Sequence, residues 1–371
     1  MPGLTKVSTI MSVCSQVLVL AMAAPPARAA APEDPVRPLL AINGFGTLGA
    51  VHSSESRGDF VFDNLQPKGA GRNRDWSADV DSRLGVQLTA NFTPHWSAVL
   101  QLVSEYRSDN TFTPIVNWAN VKYAFSPDFS VRVGRIALAS FLASDSRKIG
   151  YSNITARPPT EVYRLLALRD SDGVDMAYRS HFGDISNTVT LLYGKRTVTN
   201  TRGIDVHSTA VRGIFDRLER GALTLHAAYQ ERHVDNQNPP LGKFMSLGAS
   251  FDPGPWFSSA EWVKAVNYDG NGIKAIRAAW YVTAGARFDV FAPYLTVAEL
   301  RPLSVTASAP VAQHSYAAGV RWDLARNIDL KLQLDQLHLG DNSYGTLQNV
   351  VAGTPRGGRV TLVSVVADFI F

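Results

Sequence analysis

Cysteine is nearly absent: the 371-residue chain has one, Cys14, inside an apolar run at residues 13–24. A disulfide framework is therefore excluded, and so is a Cys-based metal centre. Charge is also sparse, at 18% of residues. With Lys6 and Arg28 set aside, 34 basic residues face 32 acidic ones. They are spread along the chain, so no basic patch suits nucleic acid. No later apolar run is long enough for a spanning helix. The eight histidines are scattered, with no H-E-x-x-H, no serine elbow and no cluster at metal-ligand spacing. No catalytic residue, metal or cofactor is expected, and the chain is not read as an enzyme.

Two motifs mislead. Gly44-Phe45-Gly46-Thr47-Leu48-Gly49 matches G-x-G-x-x-G. A dinucleotide site needs that turn to open a helix, whereas Ala50-Val51-His52-Ser53-Ser54 is not amphipathic at a helical period. The segment reads as a first strand whose glycines mark close approach. Asn91-Phe92-Thr93 and Asn153-Ile154-Thr155 match a glycosylation acceptor and are read as incidental.

What is present begins with an export signal. Lys6 supplies a positive start, the apolar run follows, and Pro25 and Pro26 end it. Ala27-Arg28-Ala29 fits a cleavage site. Residues 1–29 are thus expected to be removed near Ala29, leaving 30–371 as the mature chain.

Alternation is the main signal. Over residues 79–92, Asp79, Asp81, Arg83, Gly85, Gln87, Thr89 and Asn91 share one face. Val80, Leu84, Val86, Leu88, Ala90 and Phe92 share the other. A strand with charge at mid-length on one face and apolar residues on the other fits a water-filled membrane barrel. Residues 276–288 and 328–334 repeat the pattern. Tight turns carry Pro, Gly, Asp and Asn near 93–95, 126–128, 183–184, 219–221, 252–255, 289–290 and 323–327. Longer polar connections lie at about 53–78, 108–114, 139–172, 196–204, 233–241, 268–272, 302–310 and 340–358. Seven turns and eight loops join sixteen strands. Aromatics recur beside the turns, among them Phe92, Trp96, Phe125, Phe182, Trp256, Phe288 and Trp322, as an interfacial girdle requires.

Residues 360–371 alternate too, with Phe371, Phe369, Ala367, Val365 and Val363 on one face. In lipid both edges of such a strand must be paired, which requires closure. The expected fold is all-β: a transmembrane antiparallel β-barrel of about 16 strands. Its aromatic final strand resembles the assembly signal of Gram-negative outer-membrane barrels, which implies recognition of Phe371 by the barrel assembly machinery.

The third connection differs from the others. Residues 139–172 mix Phe141, Leu142, Leu165 and Leu166 with many charges. A solvated flap does not need those apolar side chains, so the loop is expected to fold into the lumen.

Here the chain resembles the general Gram-negative porin superfamily. The patches that carry it are Asp81-Ser82-Arg83-Leu84-Gly85, Val133-Gly134-Arg135 and Gly173-Val174-Asp175-Met176-Ala177-Tyr178-Arg179. The resemblance implies a passive diffusion channel for small hydrophilic solutes and ions in the bacterial outer membrane, assembled as a homotrimer in lipid. It implies a basic wall of Arg83, Arg135 and Arg179 facing acidic candidates Asp145, Glu161, Asp170 and Asp172. Parity alone puts Arg135 outward, and only a bulge or the turn into the loop would bring it into the lumen. The third loop lacks a Pro-Glu-Phe-Gly-Gly tip and carries Arg147, Lys148, Arg157, Arg164 and Arg169. Those cations outnumber the loop's four acids, which leads to an expectation of weak anion selectivity. Small residues at Gly44, Gly46, Gly49, Ala50, Ala98 and Ala119 are read as room for a neighbouring barrel. The competing readings are a structural, adhesive or enzymatic outer-membrane barrel with a blocked lumen.

Overall fold

The structure is a computed structural model that describes residues 38–235, 237, 239–268, 272, 274–304 and 311–371. The export segment 1–29 lies outside them. Sixteen long strands are present. The first eight are β1 (Leu40–Ser53), β2 (Arg83–Asn91), β3 (Trp96–Glu105), β4 (Ile115–Ala124), β5 (Phe129–Ala137), β6 (Asp170–Phe182), β7 (Ile185–Thr199) and β8 (Asp205–Arg220). The second eight are β9 (Leu223–Val234), β10 (Leu241–Phe251), β11 (Trp256–Tyr268), β12 (Lys274–Ala286), β13 (Phe291–Pro302), β14 (Gln313–Ala325), β15 (Ile328–Leu339) and β16 (Gly358–Ile370). Each pairs antiparallel with the next, and β16 returns to β1 in register Phe45↔Ile370 through Ser53↔Leu362. The sheet is closed, so no edge is left for lipid to meet.

Short turns and long loops alternate around the barrel as expected. The 183–184 and 221–222 turns place glycine at positive φ, Gly183 at 62° and Gly221 at 55°, which suits the twist of tight hairpins. Around the turn end, Phe92, Trp96, Phe125, Phe182, Trp256, Phe288, Phe291 and Trp322 are exposed on the outer face.

Two details depart from the sequence reading. Residues 79–82 continue the alternation but are turn, not strand, and β2 begins at Arg83. Val80 is buried inside with Val51, Phe60, Phe62, Leu337 and Leu362 instead of facing outward. The first loop packs there, so an apolar residue just before a strand found an inner partner. The small residues of β1 also have a different role. A Cβ on Gly44 would strike the Phe371 ring, one on Gly46 the Phe369 ring, and one on Gly49 would meet Asp81. The Phe371 and Phe369 rings cover Gly44 and Gly46, so these glycines serve packing within the barrel itself.

The interior is well filled. Phe141, Val162, Tyr163 and Leu166 of the third loop are buried against Leu192, Phe215, Phe244, Val263, Tyr281 and Leu300 from the strands. Burying one such side chain is worth about 1.5–3 kcal/mol, so this contact holds the loop firmly. Phe141 stacks on Tyr163 at 4.7 Å and meets Phe244 edge-on at 5.0 Å.

Candidate functional site

The third connection runs from 138 to 169, shorter than expected at its end because Asp170 and Asp172 already belong to β6. Its polar groups reach inner-wall side chains on many strands. Ser140 Oγ donates to Gln230 of β9 at 2.8 Å, and the Leu142 amide donates to Glu261 of β11 at 2.9 Å. The Ala156 amide meets Tyr294 of β13 at 3.2 Å and Gln333 of β15 at 3.1 Å. Gly150 sits where a Cβ would overlap Asp368. That contact lets Lys331 Nζ donate to the Gly150 carbonyl and to Asp368, both at 2.8 Å. Arg321 extends the network, donating to the Tyr151 carbonyl at 2.6 Å and lying 3.2 Å from Asp329.

The expected polarity is inverted. The loop was to supply acids and the wall arginines, yet the loop supplies the cations and the acids come from the wall and the first loop. Arg157 donates to Asp81 at 2.9 and 2.6 Å and to Ser364 at 2.7 Å, and lies 3.6 Å from Asp335. It is only 4% exposed. Burial alone would lower its pKa, but the Asp81 carboxylate overrides this and raises it. Lys148 Nζ donates to Glu105 at 2.6 Å and to Asn117 at 3.0 Å. Arg164 donates to Asn64 at 2.9 Å, to the Val61 carbonyl at 3.2 Å and to the Thr346 carbonyl, clamping the first and last long loops. Burial brings its pKa down to about 10. Arg169 pairs with Asp63.

Of the expected constriction residues, Arg83, Asp145, Lys148 and Arg179 line open space inside the barrel. Arg147, Arg157, Glu161 and Arg164 are buried. Glu161 accepts from Gln313 at 2.6 Å and faces no wall arginine. Arg135 is a correction. It shares the parity of Val133, which is 59% exposed, and forms a bidentate pair with Asp172 at 2.7 and 3.0 Å on the outer face. Gly134, at φ 129°, produces no shift that would turn Arg135 inward. Arg179 faces inward but sits near the 183–184 turn, far along the wall from Arg83. The two never share a site. Sequence reasoning missed Asp63, although Phe60-Val61-Phe62 beside it is the same apolar-in-loop signal used for the third connection.

Two chambers flank the loop. On the turn side a cavity of about 630 Å³ is lined by Arg132, Arg179 and Arg217 against Asp145, Asp175, Asp216, Glu219 and Asp252. On the long-loop side a cavity of about 450 Å³ is lined by Arg83, Arg107, Lys148, Arg169 and Arg196 against Asp63, Glu105, Asp109 and Asp170. A small space of about 30 Å³ touches residues of both chambers, including Asn117, Ala137, Phe141, Asp145, Lys148 and Arg169. Ion pairs neutralise much of each lining: Arg132 holds Asp175 at 2.5 Å, and Arg196 holds Asp170 at 2.5 Å.

A closed sixteen-strand wall with an aromatic girdle and a charged interior defines a membrane channel protein. The Gram-negative porin family matches residues 17–342, and the chain belongs to that family: it is an outer-membrane porin. Among solved structures, an anion-selective porin from Comamonas acidovorans is 17% identical with a TM-score of 0.59, over 90% of this chain and 99% of that one. Salmonella typhi OmpF, in a complex with daunomycin, is 13% identical with a TM-score of 0.58, over 90% and 97%. OmpT of Vibrio cholerae is 9% identical with a TM-score of 0.58, over 90% and 99%. At these identities the likeness is one of fold. No curated protein sequence matches the chain.

Proposed function

We propose that this porin passes small hydrophilic solutes and ions passively, with residues 138–169 forming the constriction. The observation that carries this is the small space between two polar chambers, bounded on one side by the docked loop. Narrow low-dielectric passages focus the field of the charges that line them. A space of about 30 Å³ exceeds the 10–15 Å³ that one water needs, so the neck favours the smallest of these solutes and conductance should be low.

The loop's cations do not produce an anion preference. Arg147, Arg157 and Arg164 are buried, and Lys148 is held by Glu105. The long-loop chamber has five cations against four acids, and the turn-side chamber has three against five. We infer weak selectivity, with screening over about 8 Å at physiological salt leaving only the neck to discriminate.

Four further readings complete the proposal. Residues 1–29 act as an export signal cleaved near Ala29, and Phe371 is presented to the barrel assembly machinery. The barrel carries no enzymatic function. It works as a homotrimer in the outer membrane, on the strength of family membership rather than of the β1 glycines, and cross-linking that yields only monomers would refute this. Planar-bilayer recording tests the channel: small stepwise conductance supports it, and a silent bilayer at every voltage refutes it.

A further inference from the structure

The neck holds a guanidinium whose terminal donors meet no acceptor among the described residues. Lys148 is bound by Glu105 and Asn117, and Arg169 by Asp63. Arg83 donates to the Asp81 carbonyl at 3.0 Å and lies over the Phe62 ring at 5.3 Å. Arg147 shares the Phe62 ring and the Asp63 carboxylate with them but donates no hydrogen bond from its terminal nitrogens among the described residues. It is 4% exposed, and both of its terminal guanidinium nitrogens are buried without a hydrogen bond. The closest carboxylate oxygen paired with it, on Asp63, is 3.8 Å away.

The rings of Phe62 and Tyr163, at 5.2 and 5.6 Å, lie near the guanidinium but offer no in-plane acceptor. A buried guanidinium with unused donors is costly unless an acceptor meets them. The small space of the neck lies against this side chain, and its lining includes the side chains of Gln101, Asn117 and Ser144. At about 30 Å³ it exceeds the 10–15 Å³ that one water needs, which suits a small monatomic ion. Around it, Arg83, Arg147, Lys148 and Arg169 stand against Asp63, Glu105 and Asp145. One positive charge is left over.

We infer that the neck is a binding site for a halide-sized inorganic monoanion, held by the Nη1 and Nη2 groups of Arg147. Two waters would fill the space but leave the charge unbalanced. An anion resting there neutralises the cluster and shares the space through which permeant ions must pass. Its effect on current rests on the channel reading above; the binding itself does not.

The test uses the full-length protein crystallised and soaked in sodium bromide, with anomalous scattering to locate the ion. A bromide peak within hydrogen-bonding distance of the Arg147 guanidinium is expected, and it should vanish in Arg147→Met, which keeps the apolar stem. Only water at Arg147, or a peak that persists in the variant, overturns the site. Should Arg147→Met fail to fold, the bromide peak in Arg147→Lys decides: a weakened peak at residue 147 supports the site, and a peak of wild-type occupancy overturns it. Arg147→Lys should weaken halide binding by about tenfold or more, since an ammonium cannot present two coplanar donors. Bromide bound with no effect on current would support the site while refuting the neck as the constriction.

Discussion

Replacing Arg157 with methionine should leave two carboxylates unpaired. Asp81 accepts both of its charge-assisted bonds from this guanidinium, and its side chain has no exposed surface. Asp335 has one buried oxygen without a hydrogen bond and relies on the same cation 3.6 Å away. Removing one partner of a buried pair costs roughly 3–5 kcal/mol. The cost falls on docking of the loop, because Arg157 ties it to the segment before β2 and to Ser364 on β16. At 1.4 kcal/mol per tenfold, the undocked fraction rises by about two to four orders of magnitude. Trypsin cutting of the folded barrel at Arg147, Lys148, Arg164 or Arg169 reads that fraction, since cleavage tracks the open population when reclosing is fast. Cleavage should accelerate by at least about a hundredfold, and the double variant D81N/R157M should recover about tenfold or more, because one stranded charge is gone. A rate within about threefold of wild type, or a double variant cut as fast as the single one, would refute the idea that this pair anchors the loop.

Gly150→Ala should displace the loop from Asp368 and weaken the Lys331 contact; overpacking of about 1–3 kcal/mol predicts a smaller but measurable rise in the same cleavage rate. Phe369→Ala and Phe371→Ala uncover the glycines of β1, so each should lower the urea midpoint of the barrel by an amount matching a cross-strand pair, about 0.2–1 kcal/mol. Burial lowers the Arg147 pKa to about 10. The unfolded chain therefore binds the extra proton above that pH, and stability in halide-free buffer should rise from about pH 10 upward relative to Arg147→Met, with added halide flattening the rise. Asp145 lines both the neck and the turn-side chamber and makes no ion pair or side-chain hydrogen bond among the described residues. Asp145→Asn should shift the reversal potential in a potassium chloride gradient toward anions, and no shift would place Asp145 off the ion path.

The wall was legible because each strand states its own orientation. Leu84, Val86 and Leu88 are exposed to lipid while Gln87 faces in, as their alternation requires. The parity of Arg135 was equally legible, and the resemblance to a family pattern was a poorer guide than that parity. Partners across the lumen were not legible. Nothing local to Arg157 points to Asp81, 76 positions away, and alternation assigns a face but never a counter-ion. The same limit explains the inverted polarity. Counting charges on the loop treated all five cations as available to permeant ions, whereas desolvated packing had consumed most of them. Val80 shows the limit within one residue: its apolarity was read as lipid exposure because the filling of the interior by the first loop could not be foreseen.

The rings that cover Gly44 and Gly46 also make the first strand depend on the last. Until β16 arrives, β1 offers lipid two bare stretches of backbone and no side chain to shield them. Backbone polar groups exposed in hydrocarbon are costly, so an unclosed sheet is penalised twice at the same place, once at its unpaired edge and once on its unshielded face. Closure removes both penalties together: the Gly44 amide bonds the Phe371 carbonyl at 2.8 Å, and the Phe371 ring lies over Gly44. A barrel short of its last strand therefore also lacks a finished first one.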